Sequence, residues 1–311
     1  MRRARTVIVA TIVLSALGLT TTADAAFPGT PGSLVLSSAG NIYTIAADGS
    51  PPLSQLTFDG QSDHPRWSPD GHRIAFDRSG DIFVMDANGR NARQVTTVGD
   101  ASEPAWSPSG KRLVFVRRPN VETGGDLWTV AASGGAPSRL TFQGRRSCEI
   151  SSPVWSPRGG RIAYEWEQAT VDTGCSAKRV VIMRIEPRAR VVIEFASHPD
   201  FTADGRGVFF GSRFDPVDGS FWPGENLSWS GLRGGGRQRL TSLFCAEGDP
   251  CFRSGAAAPD SGFPGAARAV YVFSRLGGTI CVGTLGSADG FCSTTIPVRP
   301  LAVDWQPVTS G

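Results

Sequence analysis

Five polar residues in this chain share a local setting that could support chemistry. Asp63 and His64 lead into Pro65-Arg-Trp67, and Glu103 leads into Pro104-Ala-Trp106. Ser152 leads into Pro153-Val-Trp155, and His198 into Pro199-Asp-Phe201. Two carboxylates and two imidazoles at one recurring place could act as acid and base on a carbohydrate substrate. The same groups could equally form a polar rim for a bound partner. A plain structural role competes with both: a histidine ending a strand is most often satisfied by a neighbouring hydrogen bond.

The elements that carry these residues recur at blade-like intervals. His64-Pro-Arg-Trp-Ser-Pro-Asp-Gly71, Glu103-Pro-Ala-Trp-Ser-Pro-Ser-Gly110 and Ser152-Pro-Val-Trp-Ser-Pro-Arg-Gly159 are three copies of one motif. His198 to Gly205 is a degenerate copy, Ala256 to Gly262 a faint one, and Val303-Asp-Trp-Gln-Pro307 the last. Short β-branched or aromatic runs follow each copy, such as Arg73-Ile-Ala-Phe76 and Asp81-Ile-Phe-Val-Met85. These runs are strands, a to d, bounded by turn residues. In Ser-Pro-Asp-Gly the proline presets φ and the glycine accepts the positive φ that re-enters a strand.

Repeats of about 40 residues with four strands predict a β-propeller. The fold expected is all-β: six blades of four antiparallel strands, at 64–97, 103–142, 152–195, 198–243, 253–297, and 301–307 with 34–58. N-terminal b, c and d strands joined by the C-terminal a strand around Trp305 close the ring and remove free sheet edges. The motif tryptophans should pack between blades. Asn41, Asp81, Asp126 and Asn226 open c strands and should bond to adjacent turns.

The bulk numbers narrow the function classes. Residues 1–25 read as a signal peptide: Arg2, Arg3 and Arg5, an apolar stretch from Val7 to Leu19, then Ala23-Asp-Ala25. Removing them takes away three arginines and one aspartate, so the formal net charge falls from +3 to +1. A nearly neutral chain gives no case for nucleic acid, which needs a basic face. No later stretch is long and apolar enough for a transmembrane segment. The domain 26–311 is expected to be a secreted or extracellular monomer, periplasmic where the host has an outer membrane. Six cysteines in an exported chain favour disulfides, with 15 pairings open; the local choice is Cys148–Cys175, Cys245–Cys251 and Cys281–Cys292. No spacing suits a metal, and no cofactor is expected.

The pattern Pro-x-Trp-Ser-Pro-Asp-Gly, Ile-Ala-Phe, Asp-Ile-Phe-Val-Met-Asp, Gln-Val-Thr resembles the WD-like repeats of TolB-type β-propellers, also found in the propeller domains of tricorn and prolyl-oligopeptidase-type peptidases. The resemblance implies the fold across the mature chain, and a hub-like binding role. The additional N-terminal domain of TolB and the peptidases' hydrolase domain have no counterpart in the sequence.

Longer b–c and d–a connections fall on one face of the disc, and binding groups usually sit on such loops. That face carries Asp63, His64, Glu103, Ser152 and His198 around the channel mouth, with Trp166, Phe214, Phe221 and Trp222 as aromatic anchors. No nucleophile elbow, zinc-protease motif or phosphate loop is present. The reading is therefore a non-catalytic scaffold for a protein, peptide or cell-wall partner. The alternative is a carbohydrate lyase or hydrolase using Asp63, Glu103 and the two histidines.

Overall fold

A computed structural model describes residues 30–46, 52–119, 124–143, 147–170, 174–175, 178–186, 188–202, 204–214, 219, 221–240, 270–275, 279–284, 291–295 and 302–308. Residues 1–25, expected from sequence to be a signal peptide, lie outside them, as do Cys245 and Cys251.

The first blade is assembled from both ends. β1 (Thr30–Ser38) pairs antiparallel with β2 (Asn41–Ala46) and, on its other side, with β24 (Ala302–Val308); β3 (Ser54–Gln55) lies outside β2. Blade 2 is β4 (Ser62–Trp67), β5 (Arg73–Arg78), β6 (Asp81–Asp86) and β7 (Arg93–Gln94). Blade 3 is β8 (Ala101–Trp106), β9 (Arg112–Arg117), β10 (Asp126–Ala131) and β11 (Ser138–Arg139). Blade 4 is β12 (Ser147–Trp155), β13 (Arg161–Thr170), β15 (Arg179–Arg184) and β16 (Arg190–Glu194), with β14 (Gly174–Cys175) added beside β13. Blade 5 is β17 (Ser197–Phe201), β18 (Gly207–Phe214), β19 (Phe221–Gly231) and β20 (Gln238–Arg239).

The expectation of six four-stranded blades is corrected here: the described residues build five. The remaining sheet has three strands, β21 (Val270–Arg275), β22 (Thr279–Thr284) and β23 (Phe291–Thr295), which pair only with one another. Its first strand was expected near 256–262, outside the described residues. That stretch is rich in Gly, Pro and Ala. It lacks the alternating β-branched residues and the tryptophan that make an inner strand worth burying. Among the described residues, extensive packing runs from blade 1 to blade 5 and does not reach this sheet.

The turns explain why the strands reverse where they do. In blade 2 the Gly71 N–H donates to the Ser68 carbonyl at 2.8 Å, and the Ser68 hydroxyl accepts from the Arg73 N–H at 2.9 Å. Gly71 sits at φ 69°, where a Cβ would be strained. Ser107 repeats both bonds in blade 3, with Gly110 and Arg112. Carboxylates then tie strand c to the following turn: Asp81 Oδ1 accepts from the Val98 N–H at 2.6 Å, and Asp126 Oδ1 from the Gln143 N–H at 2.7 Å. Asn41 does the same for the Gly60 N–H; the side chain of Asn226 lies outside the described residues.

The core lies between blades rather than inside any one of them. Val35 and Ile42 of blade 1 pack with Trp67, Ile74 and Phe76 of blade 2. Ala75, Ile82 and Val84 meet Trp106, Leu113 and Phe115 of blade 3 in the same way. Clusters of this kind also join blades 3 and 4, and blades 4 and 5. Each fully buried large side chain contributes about 1.5–3 kcal/mol, so the repeat is stable only as a stack.

Candidate functional site

The four motif positions His64, Glu103, Ser152 and His198 share one backbone state. Their φ values are 47°, 56°, 50° and 47°, left-handed for residues that carry a Cβ. Each lies where the register of its inner strand slips: between Asp63 and Arg66, Ser102 and Ala105, Ser151 and Val154, and Ser197 and Asp200. These are β-bulges, which re-aim a side chain and free a backbone N–H from the ladder. A left-handed non-glycine residue costs on the order of 1–3 kcal/mol and persists only if its surroundings hold it.

Carboxylates hold it. The freed N–H of Glu103 donates to Asp77 Oδ1 at 3.0 Å, that of Ser152 to Glu103 Oε2 at 2.6 Å, and that of His198 to Glu165 Oε2 at 3.0 Å. The His64 N–H donates to Asp63 Oδ1 at 2.7 Å, and Asp63 also accepts from the Ser37 hydroxyl of blade 1. Three of the four bonds cross from one blade to the next, and Ser37 supplies the crossing for the other. The bulges are thus latches between blades.

The same carboxylates carry cations. Arg118 Nη2 lies 3.1 Å from Glu103 Oε1, and its guanidinium also donates to the Ser102 hydroxyl and the Ile150 carbonyl. Glu165, only 3% exposed, holds Lys178 Nζ at 2.5 Å. Burial opposes the charge on Lys178, but the attraction of Glu165 and then Glu167 outweighs it and raises the ammonium pKa. His64 Nδ1 donates to Asp77 Oδ1 at 2.8 Å. Burial works against its imidazolium. The bond to Asp77 and the charges of Asp77, Glu103 and Asp63 overcome that and lift His64 to about 9. At neutral pH His64 is a cation and not a base.

The sequence-predicted mouth residues are therefore brought together as one repeated device. Of the four aromatic anchors, the described residues include the side chains of Trp166 and Phe214. Trp166 is 8% exposed and belongs to the core between blades 3 and 4. Phe214 ends β18 and stacks on Phe195 with centroids 5.4 Å apart. Phe221 pairs with Phe214 in register, but the side chains of Phe221 and Trp222 lie outside the described residues. Phe214 is the last residue of β18, and Phe221 and Trp222 are the first of β19, so all three belong to strands. Among the described residues no group of three or more His, Cys, Asp or Glu is placed to hold a metal ion.

Sequence reasoning missed Asp77 and Glu165, although a signal for them exists. Both close the same strand-b pattern, Arg73-Ile-Ala-Phe-Asp77 and Arg161-Ile-Ala-Tyr-Glu165. Blade 3 has Val116 at that place, and there Glu103 takes over the capping of the next blade. It also missed a cleft of about 560 Å³ at the outer rim of blade 4, lined by Phe142, Trp166, Arg179, Arg190 and Val192 among others.

Comparison with known proteins gives a consistent picture of the fold. The profile of the family described as TolB beta propeller domain matches residues 42–215. TolB from Acinetobacter baumannii superposes with a TM-score of 0.61 at 15% identity, over 88% of this chain and 66% of that one. The putative TolB from Agrobacterium tumefaciens gives 0.54 at 20% identity, over 72% and 81%. Hydrazine synthase from Kuenenia stuttgartiensis gives 0.63 at 14% identity, over 90% and 47%. This chain thus spans slightly less than two thirds of the Acinetobacter protein. No curated protein matches the sequence at a significant level. No helix of the described residues is long and apolar enough to cross a membrane.

Proposed function

The chain belongs to the TolB β-propeller domain family, and from that premise we propose that it is an exported, non-catalytic scaffold whose channel-mouth face docks a protein, peptide or cell-envelope partner. One observation carries this reading: the carboxylates at the mouth are engaged as latches. Glu103 accepts the Ser152 N–H and faces Arg118, while Asp63 accepts the His64 N–H and the Ser37 hydroxyl. An acid–base pair for glycoside chemistry needs one carboxyl raised in pKa and a second free to meet water or the sugar. Carboxylates already accepting from backbone N–H groups, a hydroxyl and a guanidinium have little acceptor capacity left for water or a sugar. Their fixed geometry suits recognition, because a rim that does not reorganise loses little entropy on binding.

In this reading residues 1–25 direct export, and the bridges Cys148–Cys175, Cys245–Cys251 and Cys281–Cys292 stiffen the face and the three-stranded sheet. The last pair is favoured by register: Cys281 lies directly opposite Cys292 across β22 and β23, at a separation disulfides can span.

The test is capture by immobilised residues 26–311 from the host's envelope and secreted fractions, beside a turnover assay on a panel of neutral and acidic glycans. The expected result is a saturable partner whose retention falls at least tenfold when His64 and His198 are both replaced by alanine, with no glycan consumed. Glycan turnover abolished by the Asp63→Ala, Glu103→Ala double change would overturn the proposal.

A further inference from the structure

The outer edge of blade 4 differs from those of its neighbours. The outermost strands β3, β7, β11 and β20 of the other four blades each have two residues, while β16 has five. Short outer strands are a common protection against pairing with foreign chains, because they expose few free N–H and C=O groups. β16, Arg-Val-Val-Ile-Glu, has the β-branched composition of an inner strand, yet among the described residues only β15 pairs with it. Val192 is 37% exposed on it.

The mismatch with blade 3 also opens space. Trp166, Arg179 and Glu194 form one row across β13, β15 and β16, and Tyr164, Val181 and Val192 the next. The inner part of this sheet face is covered by blade 3. The outer part overhangs, because β11 of blade 3 stops after two residues. The result is the cleft of about 560 Å³ beside β16, which shares Phe142 and Arg190 in its lining with a smaller one of about 250 Å³ that Arg188 also lines. Phe142 stands at its edge, 65% exposed.

The charge around this edge is one-sided. Arg139 is paired with Asp126, and Arg179 with Glu194 at 2.5 Å. Arg188 and Arg190 lie within ion-pair distance of no carboxylate among the described residues. Their guanidinium groups instead lie over aromatic rings, Arg188 at 5.8 Å from Phe142 and Arg190 at 5.7 Å from Trp166. Two cations flank a cleft of mixed aromatic and aliphatic walls and a strand edge that no second strand covers among the described residues, where Arg237 Nη1 donates to the terminal Glu194 carbonyl at 2.8 Å and the rest of the edge is left to a partner.

We propose that the outer rim of blade 4 is a second docking site, which takes an extended acidic polypeptide segment as an added strand on β16. Backbone groups of the incoming strand would pair with the free edge. Alternate side chains would point into the cleft against Val192 and Phe142, and carboxylates would meet Arg188 and Arg190. Strand addition requires a peptide; a charged sugar chain offers the anions but no N–H and C=O ladder.

Fluorescence anisotropy tests this on the whole exported chain, with a labelled Val-Glu-Val-Glu-Val-Glu peptide as probe. The comparison probes are its Lys-for-Glu analogue, an acidic peptide with proline at alternate positions, and labelled oligogalacturonate. Saturable binding of the Val-Glu probe is expected, at least tenfold tighter than any of the three. The Arg188→Glu, Arg190→Glu double variant and the Val192→Lys variant should each weaken it tenfold or more while keeping the parent's melting temperature. The Asp63→Ala, Glu103→Ala variant should leave it unchanged, so the result stands apart from the fate of the mouth. Absence of saturable binding, indifference to the arginine reversals, or equal binding of oligogalacturonate or the proline peptide would overturn the proposal.

Discussion

The inner bulges and the outer edge of blade 4 both carry charged side chains and put them to opposite uses. At the bulges of the inner strands, Glu103 reads from sequence as a candidate acid, and both it and Glu165 are committed to a bulge N–H and a cation. At the edge of blade 4, Arg188 and Arg190 look like ordinary surface charges, and neither meets a carboxylate among the described residues. Residue type and position in the repeat do not separate a structural group from a binding group. What separates them is whether the hydrogen-bonding capacity of the group is already used within the fold.

This contrast can be broken by mutation. The largest effect should come from the core beneath the inner rim: Trp106→Ala should cost about 3–5 kcal/mol, read as a loss of unfolding free energy in urea. Glu103→Ala comes next, because it orphans the Ser152 N–H and uncovers Arg118. A loss of about 1–3 kcal/mol is expected, with part of it recovered in Glu103→Gln, which retains an acceptor.

The pH dependence of His64 sharpens the comparison further. Its pKa is raised in the fold from an ordinary 6.5 to about 9, so its contribution is fully present below about 6.5 and is lost as pH rises through 9. The melting-temperature advantage of the parent over His64→Gln should therefore be greatest near pH 6 and gone by pH 10. An advantage that grows with pH would contradict the Asp77 pairing. The smallest effect belongs to the outer rim: Arg188→Ala with Arg190→Ala should change stability by less than about 0.5 kcal/mol. A larger loss would mean that these arginines are structural as well.

Much of the fold was legible because its signals are local. Ser68, Gly71, Ser107 and Gly110 announce their turns, since the φ and hydroxyl they need are properties of those residues alone. The equivalence of His64, Glu103, Ser152 and His198 was legible for the same reason. Their bulged backbone was not, because it depends on acceptors supplied by the neighbouring blade, Asp77 and Glu165 among them. The count of blades failed where the motif decays, in the stretch that should have carried an inner strand ahead of β21. The docking edge of blade 4 was hidden by a different cause. Nothing in Arg-Val-Val-Ile-Glu reveals that the neighbouring outer strand, β11, is too short to cover it.

Blade 1 has a consequence for how the chain comes into being. β1 cannot acquire its inner partner β24 until residue 308 has been made and delivered, and the Trp67 N–H waits equally long for Asp304 Oδ2, 2.7 Å away in the finished fold. Blades 2 to 5 can stack as they emerge, each on the one before. Strand β1 is therefore completed only after blades 2 to 5, and in the meantime it presents an open edge of Leu34, Val35 and Leu36. Pairing over so long a sequence separation is slow. That interval is when a chaperone would be needed most.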